Sequence, residues 1–148
     1  MHRQRRQQVQ TLFRFRELGE KRASISLQSA VRDVDAATRA LQEATQRMEA
    51  VTEWKVAVNG GVRMSLYEQA LVLEAVAFDE AGKAFGKQEH AIAVQEAAAD
   101  EHHAARRAAK AAEQRRRRLE HAHAIAEERR ISDEMADMWI ARRTYADA

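Results

Sequence analysis

The chain has 148 residues, of which 32% are charged and 5% aromatic, with no cysteine, no proline and a formal net charge of +2. Zero cysteine excludes disulfide frameworks and thiol chemistry, and the alanine-rich, charge-rich composition fits long helices better than a compact globule. No apolar run approaches the roughly 20 residues a membrane helix needs, and no hydrophobic stretch follows the N-terminal arginines, so the expectation is a soluble cytoplasmic protein without a membrane span.

Proline is the strongest helix breaker, and paired glycines are the next best stop signal. The chain carries no proline and one glycine pair, in Asn59-Gly60-Gly61. This predicts an all-α protein, an antiparallel two-helix coiled-coil hairpin in which the second helix is longer than the first. Residues 1–148 then form a single coiled-coil domain, with helix one over about 2–58, a turn at 59–64 and helix two over about 65–145.

In helix one, Leu27, Val34, Leu41 and Met48 repeat every seven residues. With these at position a, Ala23, Ala30, Ala37, Ala44, Val51 and Val58 occupy d. Large at a and small at d, unbroken, is a coiled-coil seam. Backwards, the frame reaches Phe13 at a and Val9 at d, but Arg16 and Glu20 interrupt it and Leu12, Phe15 and Leu18 fall outside. The first twenty residues are therefore expected to change register, fray or face something other than helix two.

Helix two is expected to start at Ser65 as N-cap, with Glu68 completing a capping box. Leu71, Phe78, Phe85, Ile92 and Ala99 then recur every seven residues. Tyr67 and Ala81, but also Glu74, Gln88 and Gln95, take the intervening positions, so this seam reads as half polar. Gly82 and Gly86 each cost about 1 kcal/mol of helix propensity and mark either a bend or a close backbone approach. After an alanine and arginine stretch, helical spacing returns at Leu119, Ala122, Ile125 and Ala126 and closes with Ile131, Met135, Met138 and Trp139.

At 1.5 Å per residue the helices span roughly 85 and 120 Å. Folding at the glycine pair sets residue i beside a residue near 121 minus i. Leu41 then meets Phe78 and Ala81, Phe13 meets the region of Ala108, and everything after Leu119 overhangs as an unpartnered amphipathic helix suited to docking.

Charge is segregated. Residues 1–22 carry seven basic and two acidic groups, and residues 101–118 carry the same, whereas residues 23–100 carry seven basic and twelve acidic groups. The hairpin brings the two basic stretches together into a belt that favours an acidic partner. Nucleic acid, or an anionic membrane surface, is one such partner for Arg115, Arg116, Arg117 and Arg118. It ranks below a protein, because no reader motif or interleaved aromatics accompany the arginines.

No catalytic arrangement is evident. His121 and His123 lie two apart and diverge on a helix, His102 and His103 are adjacent, and His2 and His90 stand alone. There is no phosphate-binding glycine loop and no nucleophile–base pair. The expectation is no enzyme activity, no metal and no cofactor.

The basic segment Leu12-Phe13-Arg14-Phe15-Arg16, the long heptad, the break near Trp54, the stretch from Ser65 through Leu66, Tyr67, Glu68, Gln69 and Ala70 to Leu71, and the close Arg130-Ile131-Ser132-Asp133-Glu134-Met135-Ala136 together resemble the FliJ/SctO (YscO-type) stalk proteins of flagellar and injectisome type III secretion. The resemblance runs almost end to end. It implies a non-enzymatic stalk, similar to the paired helices of the rotary ATP synthase gamma subunit, present in one copy in the complex and peripheral to the inner membrane once assembled. It would link a hexameric secretion ATPase to the cytoplasmic domain of the export gate, promote protein export and meet export chaperones. The ATPase would be met by the belt (Arg3, Arg5, Arg6, Arg14, Arg16, Arg106, Arg107, Arg115, Arg116, Arg117 and Arg118) and the overhang (Ile131, Met135, Trp139). The gate would be met by Tyr67, Ala70 and Leu71. A generic coiled-coil adaptor or chaperone escort is the alternative that the same seam supports.

Overall fold

The computed structural model describes residues 2–58 and 64–148, and 99% of the residues in it are helical. Helix α1 runs over His2–Val58 and helix α2 over Met64–Ala146, 57 and 83 residues long. No strand occurs among the described residues. The helices pack against each other as a hairpin with the longer helix second, the fold class the heptads predict. Residues 59–63 of the expected turn lie outside the described residues. Because Met64 is already helical, Ser65 sits inside the first turn rather than at the N-cap, whose backbone must be non-helical.

The chain clusters into two compact units, one of Arg22–His103 and one of Met1–Lys21 with Ala104–Ala148. In the Arg22–His103 unit, α1 keeps the predicted register. Leu27, Val34, Leu41 and Met48 are half-buried, and Ala30 and Ala44 are fully buried. Helix α2 departs from expectation. Its row of large residues lies outside the seam, with Leu71, Phe78, Phe85 and Ile92 at 41, 55, 52 and 38% exposure. The buried row is instead alanine, at Ala70, Ala77 and Ala98, with Ala84 and Ala91 half-buried between them. It alternates with the half-buried Tyr67, Glu74, Ala81, Gln88 and Gln95. The bulk that α1 places at a is matched by small residues opposite, which lets the backbones come close.

Two of the half-buried polar members of this seam, Glu74 and Gln88, find partners on α1, which offsets their desolvation. Lys55 Nζ donates to Glu74 Oε1 at 3.1 Å, and Gln88 Nε2 donates to Thr38 Oγ1 at 3.1 Å. Further out, Arg47 lies 3.8 Å from Glu80. These antiparallel rungs put residue i beside a residue near 128 minus i, about one heptad beyond the glycine-centred expectation. Leu41 therefore lies between the Thr38–Gln88 and Arg47–Glu80 rungs, not against Phe78 and Ala81. The expected pairing assumed that the two helices start level, whereas α1's side chains seat where polar seam residues can be satisfied. A Cβ added at Gly82 or Gly86 would meet nothing within 4 Å, so none of the described residues approaches these glycines closely.

In the terminal unit, α1 is helical from its first described residue instead of fraying. Val9 is buried at 5% exposure, and Leu12 and Phe13 are half-buried. Ala109 and Ala112 are buried on α2, and Leu119 is half-buried there. Phe13 meets Arg116, not Ala108, and Arg6 shares a surface depression with Leu119, Ala122, His123 and Ala126. After Leu119 every side chain of α2 except that of Glu127 is exposed, as the overhang predicts, although Arg6 of α1 still lies beside this stretch.

Candidate docking surfaces

All eleven arginines of the basic belt belong to the terminal unit, together with Ile131, Met135 and Trp139. By sequence this unit holds 17 basic and 10 acidic groups, against 8 and 13 in the other. Arg3, Arg5, Arg6, Arg14 and Arg16 are exposed on α1, as are Arg106, Arg107, Arg115, Arg117 and Arg118 on α2. Arg116 differs, because it is half-buried with its guanidinium carbon 4.5 Å from the centre of the Phe13 ring. Its Nη1 is 4.0 Å from Glu120, and its Nε is shielded without a hydrogen-bond partner. Such a stacked cation is a clamp between helices, so Arg116 serves packing more than docking. Arg117 is held by Glu113 one turn earlier, at 2.6 Å.

Beyond Glu127 every side chain of α2 is exposed. Ile131, Met135, Met138 and Trp139 recur at helical spacing on one face, at 46, 66, 58 and 61% exposure. Arg143 lies over the Trp139 ring at 5.2 Å. This segment is stiffened by its own side chains, since Arg130 bridges Glu127 and Glu134 at 2.5 and 2.7 Å. The hydrogen bond from Arg130, and then its charge, hold the Glu127 carboxyl below its ordinary value. Reciprocally, the bond to Glu127 raises Arg130. Pairs three and four residues apart are what an otherwise unsupported helix can use.

The second candidate surface lies at the start of α2. Ala70 is completely buried and Tyr67 half-buried, so both belong to the seam, while Leu71 is exposed beside Val72 and Leu73. The outward row continuing from Leu71 through Phe78 and Phe85 to Ile92 is the surface the sequence reading placed inside. The signal that could have found it is the alanine at every seventh residue from Ala70 to Ala98.

No group of three or more metal-ligating side chains comes together among the described residues, and no helix there is long and apolar enough to cross a membrane. No protein-family model, curated protein or solved structure matches the chain.

Proposed function

We propose that this chain is a non-enzymatic central stalk of a type III secretion ATPase complex, linking the hexameric ATPase to the export gate and promoting protein export. The observation that carries the proposal is the gathering, in one compact unit, of the basic belt and the exposed Ile131, Met135 and Trp139 face. Excess positive charge steers such a unit toward an acidic pore and holds it without a rigid lock. The apolar face adds contact area without a deep pocket. At the gate, the accessible group among the three candidates is Leu71. The long helices and the resemblance of the basic, post-turn and closing segments support the same assignment.

The test is binding of the full chain to a hexameric secretion ATPase, with ATPase stimulation as the second readout. Removing residues 130–148, all exposed, should weaken binding while leaving the rest helical. Changing Arg115, Arg117 and Arg118 to glutamate should weaken it in a salt-dependent way. If both variants bind and stimulate like the parent, the terminal unit is not the ATPase-docking element and the assignment fails.

A further inference from the structure

In the Arg22–His103 unit the two flanks of the coil are chemically unlike. On one flank the g positions meet. Arg47 faces Glu80, and Ala40, Lys83 and Lys87 line a shallow groove with them. On the opposite flank the e positions meet, where coiled coils ordinarily carry charge. Here α1 presents Val31, Thr38 and Thr45, and α2 presents the Leu71, Phe78, Phe85 and Ile92 row, with no charged residue in either. The two phenylalanines are more than half exposed; at about 200 Å² per ring side chain they leave roughly 200 Å² of apolar surface open between them. At the adjoining b positions of α2, Ala75 and Gly82 are small, so between Leu71 and Phe85 the large residues stand beside open room. Gly82 faces open space, and among the described residues nothing packs against it to offset its helix cost. A helix lying in this groove could approach closely there.

The edges of the groove state the charge of its occupant. The charged members of the b rows are all acidic, Asp35 and Glu49 on α1 and Glu68, Glu89 and Glu96 on α2 on either side of Ala75 and Gly82, with no lysine or arginine in these rows of the unit. A second copy of α2 seated on the row would bring the same acidic edge against itself. We infer that this groove takes a basic amphipathic helix from a partner protein, an apolar heptad stripe flanked by lysine or arginine, completing a three-helix bundle. The inference does not depend on the stalk assignment, since it concerns the other unit.

The probe is a synthetic helix about four heptads long, with leucine at a, alanine at d and lysine at e and g, beside a matched peptide with glutamate at e and g. Fluorescence anisotropy on the full chain should show the basic peptide binding about tenfold or more tighter than the acidic one, the difference shrinking at high salt. Phe78→Ser with Phe85→Ser should lower basic-peptide affinity about tenfold. Glu89→Lys with Glu96→Lys, both exposed, should move the preference toward the acidic peptide even if the serine variant loses helicity. Equal binding of the two peptides, or binding unchanged in both variants, overturns the inference. So does sedimentation showing a dimer of the chain that the Phe78→Ser, Phe85→Ser variant dissolves, because the groove would then hold a second copy.

Discussion

Lys55 and Glu74 provide the sharpest test of how the helices are seated. Their side chains are 27 and 19% exposed and their charged atoms are 3.1 Å apart. At an effective dielectric of about 20, two unit charges at that distance attract by about 5 kcal/mol. Desolvation and the ordering of both side chains remove most of this, leaving about 1–2 kcal/mol for a partly buried, charge-assisted hydrogen bond. A double-mutant cycle with Lys55→Met and Glu74→Gln should therefore give a coupling of about 1.5 kcal/mol. The charge-swapped chain, Lys55→Glu with Glu74→Lys, should regain most of what either single reversal loses. Trp54 adjoins the pair in sequence and is 41% exposed, so urea unfolding in a Trp139→Phe background follows this region by its fluorescence. Arg47 and Glu80, at 3.8 Å and more than half exposed, serve as control, with a coupling below about 0.5 kcal/mol. Negligible coupling between Lys55 and Glu74, or a larger one between Lys55 and Glu68, would refute the seating and restore the glycine-centred pairing.

Two other perturbations probe the seam and the uncovered helix. Leu41→Asp sets a charge at a half-buried a position and should cost about 3 kcal/mol, whereas Arg39→Asp on the exposed back of α1 should stay within about 0.5 kcal/mol; equal melting temperatures would mean the frame is wrong. The Glu127 carboxyl is held low by Arg130, so its contribution to helix stability is complete above the ordinary glutamate range and is lost as pH falls through the lowered folded value; amide and carbonyl chemical shifts over residues 125–135 should show helicity declining on acidification, and Glu127→Gln should already be less helical at neutral pH and lose this site's part of the pH dependence.

The residues alone determined that the protein is two long helices broken once. No proline interrupts either segment, and α1 alternates bulk and alanine at strict heptad spacing from Ala23 to Val51. With one such row at each position there is a single way to face α1 inward. The basic stretches, 1–22 and 101–118, were equally legible, because charge counts need no geometry. Helix α2 was ambiguous in kind. It carries three seven-residue rows side by side, one bulky from Leu71, one of alanine from Ala70 and one mixed from Tyr67, and period alone accepts either outer row as partner to the mixed one. The two choices differ by a rotation of about 50° around the helix axis, given 3.6 residues per turn. Tertiary structure decided between them through volume. Helix α1 already fills the seam with leucine, valine and methionine, so close packing admits only alanine opposite, and Phe78 and Phe85 are turned outward. The same seating carried α2 one heptad along its partner, pairing Lys55 with Glu74 and Phe13 with Arg116. A sequence read one helix at a time holds neither the space its partner leaves nor the level at which the two meet.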